Sequence, residues 1–307
     1  MTRWSVALDR AGIRDPELRR DYDAQRRIVR RFDPHAYLAA RLLLPARLHP
    51  PVMAAVSFMH GTDELIDSGD VEFRQRALRS WGHEVLAALE QPSANPTLRA
   101  LADTVRRHPH LAARVREFLD GAAVEAAWTG FESEKDFQVY VDQYSLPALM
   151  LTASLIAPPG ESERSALFQQ HCRALIEGWQ RIDNLADLRE DVAAGQIGVP
   201  RLTLAEHGLT PEELRGPAAD LAAVGRLIGA QAGLAGKALD ESRALPELVE
   251  EEFRPFVTTL VAVQELRLEA LRRKGGAVLA GEVRPPLLRS VGVLARQGLR
   301  ARTLRGR

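Results

Sequence analysis

Apolar residues recur at three- to four-residue spacing along almost the whole chain, and the alternating pattern of a half-buried strand is nearly absent. Such spacing gathers apolar side chains on one helix face, so the pattern predicts an all-α protein. Helices are predicted over residues 16–32, 35–45, 50–67, 71–90, 96–107, 110–129, 134–156, 161–194, 202–207, 211–215, 217–243, 246–274 and 285–300. Breaks fall at Pro50-Pro51, Pro92, Pro109, Pro158-Pro159-Gly160, residues 195–200, Pro246, Gly275-Gly276 and Pro285-Pro286. Proline lacks the N–H that a helix needs, and glycine frees the backbone. Connections are short, no low-complexity linker divides the chain and no repeat period is visible, which predicts one domain over 1–307.

Two acidic clusters interrupt this pattern. One is Asp63-Glu64-Leu65-Ile66-Asp67; the other runs from Asp183 through Asp187 to Asp191. In a helix, residues four apart are neighbours on one face, and like charges there repel. Aspartate is also a poor helix former. A single DxxxD is common on a solvated face, but three aspartates in register, with only Arg181 and Arg189 nearby, are harder to place there. Two such clusters facing each other across a helical bundle would hold hard divalent cations and, through them, a phosphate-bearing ligand. Mg²⁺ suits this role: it takes one or two carboxylates, keeps waters and shares its other positions with substrate phosphates. The 161–194 segment, with apolar anchors at Leu175, Ile176, Trp179 and Ile182, is predicted as one helix carrying the second cluster on a rigid element.

Composition narrows the field. Apolar residues make up 46% of the 307, enough for a sizeable core, and 41 basic residues balance 41 acidic ones, so no global field marks a nucleic-acid binder. Cys172 is the only cysteine, which removes disulfide frameworks and CxxC metal sites within one chain. The first residues lack the apolar core of a signal peptide, and no apolar run approaches the roughly 20 residues of a membrane span, which predicts a cytoplasmic protein. No Walker loop, HExxH, GxSxG or dinucleotide fingerprint is present, and nothing indicates NADPH.

The run from Asp187 to Pro200, a DxxED followed by Gln196-Ile197-Gly198-Val199-Pro200, resembles the second aspartate-rich motif of the squalene and phytoene synthase family. Leu204 to Leu214 continues the likeness. Asp63 to Asp67 resembles the first motif, Tyr37-Leu38-Ala39 and Leu43-Leu44-Pro45 the opening helix, Gly121, Glu125 and Tyr140 the middle motif, and Leu268 to Gly281 the closing helices. The resemblance spans nearly the whole chain and is that of a divergent bacterial member. It implies an all-α isoprenoid synthase bundle with a central apolar tunnel, and Mg²⁺, three ions, bridging the two acidic helices to a prenyl diphosphate. By position, Asp63 and Asp67 would ligate metal from one side and Asp187 and Asp191 from the other, as the catalytic set. Asp183 stands where the family usually has Asn; it either adds a ligand or is a solvated face residue.

The chain departs from the family pattern. His60 stands where an Arg usually precedes the first motif, and Ala186 where an Arg precedes the second. Ser145-Leu146-Pro147-Ala148-Leu149 aligns with a stretch of small residues, and Glu125 replaces the middle-motif Asp. Less room for a second tail and less charge for a second diphosphate favour ionisation of one allylic diphosphate, of farnesyl or geranylgeranyl size or precyclised, to a terpene. The alternative is head-to-head condensation of two prenyl diphosphates; a third reading is a non-catalytic relative. An upstream prenyltransferase or cyclase would supply the substrate.

Other candidates for substrate binding are Arg47, His60 and Arg189 for diphosphate oxygens, and Phe58, Tyr140 and Tyr144 beside the tunnel, where rings can stabilise a carbocation. Trp128 and Trp179 share that role with ordinary core packing. From Pro286 to Arg307 the chain carries Arg289, Arg296, Arg300, Arg302, Arg305 and Arg307 among Leu287, Leu288, Val291, Leu294 and Leu299. Such a basic amphipathic helix either contacts an anionic membrane peripherally or packs as a terminal helix with a solvated Arg face.

Overall fold

The computed structural model describes residues 3–216 and 220–305. Helices follow one another throughout: α1 Trp4–Arg10, α2 Pro16–Phe32, α3 Pro34–Leu43, α4 His49–Ile66, α5 Val71–Glu90, α6 Pro96–Arg107, α7 Leu111–Ala127, α8 Glu134–Tyr140, α9 Leu146–Ala153, α10 Glu163–Ala186, α11 Leu188–Ala194, α12 Arg201–Glu206, α13 Pro211–Arg215, α14 Leu221–Ser242, α15 Leu245–Leu248, α16 Arg254–Lys274 and α17 Leu287–Arg305. The described residues contain no strand. Local chemistry sets many starts. Asp15 accepts from the backbone N–H of Glu17 and Leu18 ahead of Pro16, and Asp33 does the same for α3 with His35 and Ala36. Ser133 with Asp136 and Thr210 with Glu213 form capping boxes for α8 and α13.

Three predicted segments are divided. Residues 134–156 are interrupted by a π turn at Val141–Ser145. Pro147 supplies the reason: it has no N–H to donate, and its ring crowds the carbonyl four residues back, that of Gln143. The widened turn presses this backbone against α7, where a Cβ on Gly121 would stand 2.3 Å from the Gln143 carbonyl oxygen. Only glycine fits there. Residues 246–274 split into α15 and α16 because Pro255, in the first turn of α16, must begin a helix rather than continue one. Residues 161–194 split at Asp187, which closes α10 and opens α11 with φ −94° and ψ 2°. Helix α1 was not predicted, and the start of the predicted 217–243 helix lies outside the described residues.

The main core is one continuous apolar cluster drawing on α2 to α16, with Phe58, Phe118 and Phe168 at 1% exposure or less. Within it α3, α4, α9, α10 and α16 each touch the next, and α16 returns to α3, closing a ring. Gly178 lets α10 lie close on α14; a Cβ there would meet the Leu239 side chain at 2.9 Å. On the ring, Val56 and Met59 of α4, Leu146 and Leu149 of α9 and Phe256 of α16 pack against the core yet stay only partly buried. No described helix is long and apolar enough to cross a membrane.

Candidate active site

Asp63, Asp67, Asp183 and Asp187 stand at helix C-termini, places poorly suited to negative charge, while Asp191 lies in the first turn of α11. Helices α4 and α10 both end in such aspartates, and neither has a basic residue in its last turn. A helix C-terminus already carries partial negative charge and favours cations. Helices α2, α6, α16 and α17 follow that rule, ending in Arg30-Arg31, Arg106-Arg107, Arg272-Arg273-Lys274 and Arg302 with Arg305.

At the end of α4, Asp63 accepts a hydrogen bond from Tyr144 Oη at 3.1 Å. Burial pushes its carboxyl up to about 7; the charges of Asp67 and Glu125 push the same way, and the Tyr144 hydrogen bond opposes them. Glu125, on α7, accepts from Tyr140 Oη at 2.6 Å and is also raised, by burial first and by Asp67 further. Asp67, exposed at the helix end, is raised by desolvation and by Glu64, against the opposing charge of His60 and Arg74. Asp63, Asp67 and Glu125 thus form one carboxylate group fed by two helices. Tyr140 and Tyr144 stand edge-to-face with ring centres 5.3 Å apart, each tethered to one of its members.

The second group is built at the α10–α11 junction. Asp191 is pushed up to about 7 by burial and by the charges of Asp187 and Glu190, while a backbone hydrogen bond from Gly198 opposes the shift. Asp187 is raised by burial, then by Asp183, with Arg267 of α16 acting the other way. Although the helix bends here, the backbone N–H of Asp187 still bonds the Asp183 carbonyl and that of Asp191 the Asp187 carbonyl, both at 2.9 Å. Gly195, at φ +75°, ends α11 and turns the chain back, so that Gly198 O accepts from Asn184 Nδ2 at 2.7 Å.

Adjacent residues of the π turn join the two groups. Tyr144 reaches Asp63, and Ser145 donates to Gln180 Oε1 at 3.1 Å, one turn before Asn184 on the helix that carries Asp183 and Asp187. Both clusters therefore stand at the same end of the helix ring, on either side of this turn.

Several sequence assignments need correcting. Asp183 is neither an open ligand nor a solvated face residue: Arg267 Nη2 donates to its Oδ1, and Trp179 also hydrogen-bonds it. Arg267 is the site residue that sequence reasoning missed; it lies 84 positions away, and no local motif marks it. Arg47 stands at the opposite end of α4 from Asp63, roughly 20 Å away at about 1.5 Å rise per residue, and is paired with Glu252. Arg189, two residues after Asp187, turns to the other side of α11, into a groove with Val192, Leu214, Arg215 and Leu279. Phe58 has no exposure and packs between Trp81 and Phe118, so it is core rather than a cavity wall. His60 stacks on Phe32 at 3.8 Å and lies 3.5 Å from Glu64, at the rim of the first group.

The donor set fits Mg²⁺ in kind: hard oxygen ligands, gathered where protein cations are few. Among the described residues no three His, Cys, Asp or Glu side chains converge closely enough to enclose an ion on their own. That suits a cation that takes one or two carboxylates and completes its shell with water and phosphate oxygens.

The squalene/phytoene synthase pattern matches residues 29–290. The chain is 32% identical over 267 residues to the bifunctional protein CrtB/UppS of Streptomyces coelicolor, a stretch covering 86% of this chain and 46% of that protein. It spans about half the length, or less, of the curated relatives it matches. Among solved structures it superimposes on squalene synthase HpnC from Alicyclobacillus acidocaldarius with a TM-score of 0.72 at 25% identity, covering 87% of this chain and 98% of that one. A dehydrosqualene synthase shares the fold, with a TM-score of 0.77 at 22% identity over 94% of this chain and 98% of that one. The motifs, the all-α bundle and these likenesses agree: the chain belongs to the squalene/phytoene synthase family.

Proposed function

We propose that the protein is a Mg²⁺-dependent prenyltransferase that condenses two prenyl diphosphates head to head into a squalene- or phytoene-like product. The observation that carries this reading is the pair of carboxylate groups, Asp63 with Asp67 at the end of α4 and Asp187 with Asp191 at the α10–α11 junction, beside one π turn. The family relationship favours this reading over ionisation of a single diphosphate to a terpene.

Bound Mg²⁺ would supply the positive charge that makes diphosphate a leaving group. The chain's own residues do the rest. Asp63 and Asp67 would hold the Mg²⁺ from one side and Asp187 and Asp191 from the other. Asp183 fixes Arg267, whose charge acts on Asp187 and would take diphosphate oxygens, in place of the cation absent at Ala186. Tyr144 and Tyr140 orient Asp63 and Glu125. As the allylic C–O bond breaks, its electron pair leaves with the diphosphate. The double bond of the second substrate supplies the pair for the new C–C bond, and loss of a proton leaves a coupled product that still carries the second diphosphate. That diphosphate then departs with its own C–O pair, and loss of a second proton from the resulting cation gives the phytoene-like hydrocarbon; a squalene-like product would need a hydride donor in place of that second proton loss. Partly buried apolar side chains of the ring, Met59, Leu146, Leu149 and Phe256, keep water from the cation.

A single-substrate reaction is the second reading, favoured by the bulk of Leu146 and Leu149, partly buried on α9. Product mass after incubation with Mg²⁺ and farnesyl or geranylgeranyl diphosphate separates the two. A doubled carbon count supports condensation, the substrate's own count supports the terpene reaction, and no turnover of any prenyl diphosphate sinks both.

A further inference from the structure

The outward face of α17 contradicts its position. This helix packs on α16 and α3 through Gln297 and Ala301, both at 1% exposure. The opposite face of a packed surface helix is normally polar. Here Leu288, Val291, Ala295 and Leu299 follow at i, i+3, i+7 and i+11 and form one stripe pointing away from the protein. Leu288 is 87% exposed, Leu299 64% and Val291 55%. Leu287, at 73%, widens the stripe at its start.

Arginines border it. Arg289, Arg296 and Arg300 lie along one edge and Arg302 near the other, and no acidic residue follows Glu282 in the chain. Arg289 is held by Glu269 of α16, and Arg305 donates to the Leu42 and Leu44 carbonyls. Arg296, Arg300 and Arg302 have no acidic partner among the described residues. The whole chain is neutral, so this is a local concentration of positive charge rather than a general one.

We propose that α17 docks the protein on an anionic lipid surface, with the Leu288–Leu299 stripe among the acyl chains and the flanking arginines at the phosphates. Charge decides the occupant. An apolar stripe edged by unpaired arginines complements a layer that is apolar inside and negative at its surface. A second copy of the chain would bring the same arginines against one another, with no acid on the helix to meet them. Placement agrees: Glu269, which anchors Arg289, is two residues past Arg267, so the start of the stripe stands at the same end of α16 as the acidic site. This surface stands independently of the proposed reaction.

Flotation of the full chain with vesicles tests it. We expect binding to phosphatidylcholine vesicles containing a third phosphatidylglycerol, weakening as salt rises, and at least tenfold weaker binding to pure phosphatidylcholine. The triple variant L288S/V291S/L299S should lose binding while keeping the wild-type circular dichroism and melting temperature. The double variant R296Q/R300Q should bind less and lose most of its salt dependence. No flotation with anionic vesicles overturns the proposal, as does equal binding to neutral ones. A concentration-dependent dimer in vesicle-free buffer that the triple variant abolishes also overturns it, in favour of a second copy.

Discussion

Two regions of this molecule bury aspartate, and they treat it in opposite ways. In the corner formed by α2 and α6, Asp21 and Asp103 are each 4% exposed. Asp21 receives a two-pronged hydrogen bond from Arg99 at 2.8 Å on both oxygens. Asp103 receives Arg107 at 2.8 Å, Arg106 at 3.1 Å and the Tyr22 hydroxyl at 3.0 Å. At the end of α4 and in the first turn of α11, Asp63 and Asp191 have no arginine, and burial with neighbouring carboxylates pushes both up to about 7. Burying a charge is tolerated only with a partner. The corner draws its partners from the chain, whereas the acidic end leaves them to come from outside it. Pairing and burial together separate the two groups: Asp21 and Asp103 are buried and arginine-bound, whereas Asp63 and Asp191 are partly buried with no arginine on them.

The comparison breaks most sharply under substitution. Asp187→Ala should lower turnover of prenyl diphosphate on the order of 10³-fold or more, the scale on which preorganised electrostatic stabilisation is lost. The melting temperature should hold or rise, because repulsion with Asp183 and Asp191 is relieved. Retained turnover, or a collapse in stability, would show that Asp187 belongs with the structural aspartates. Asp103→Ala should do the reverse and cost about 2–3 kcal/mol in urea unfolding. Breaking a buried pair costs about 3–5 kcal/mol, but Arg107 reaches solvent and softens the loss. A loss under about 1 kcal/mol would remove the contrast between the two regions.

Acidity sharpens the same contrast. The ordinary Asp value is 3.8, and Asp63 and Asp191 stand near 7 in the folded protein. Between roughly pH 4 and 7 the folded state therefore keeps protons that the unfolded chain releases, so this pair makes stability fall as pH rises through that window and level off above it. Urea midpoints at pH 5 and 7.5 without divalent cation should differ in that direction, and D63N/D191N should flatten the difference. Metal binding needs the ionised forms, so Mg²⁺ with inorganic pyrophosphate should raise the melting temperature at pH 7.5 and do so far less at pH 5. A midpoint that rises with pH across the window and is unaffected by D63N/D191N would contradict the assignment.

The smallest expected effect is at Tyr144. Its hydrogen bond holds the Asp63 value down. Tyr144→Phe should slow turnover about tenfold, the weight of roughly one hydrogen bond to a charged group, and move the acid limb of the activity profile to higher pH. An unmoved limb would make Tyr144 a packing residue only.

Much of this was legible before the fold. The two runs of stacked aspartates were visible because their spacing is local, and the helical periodicity gave the bundle. Pro147 was visible, but its consequence was not: the widened 141–145 turn is accommodated only because it meets Gly121 of α7. The misplacement of Arg47 has the same origin. It precedes α4 in sequence, yet a helix carries its two ends far apart. Asp183 could be read two ways from the sequence alone, and its pairing with Arg267, 84 positions away, matches neither.

What the chain determined by itself is the set of helices, their caps and the two carboxylate runs, since these rest on contacts between residues a few positions apart. Which aspartates stay unpaired, which arginine serves the site and which face of the last helix is left bare were decided only when the helices packed. Those outcomes turn on side chains meeting across the bundle, and spacing along the chain does not encode such encounters.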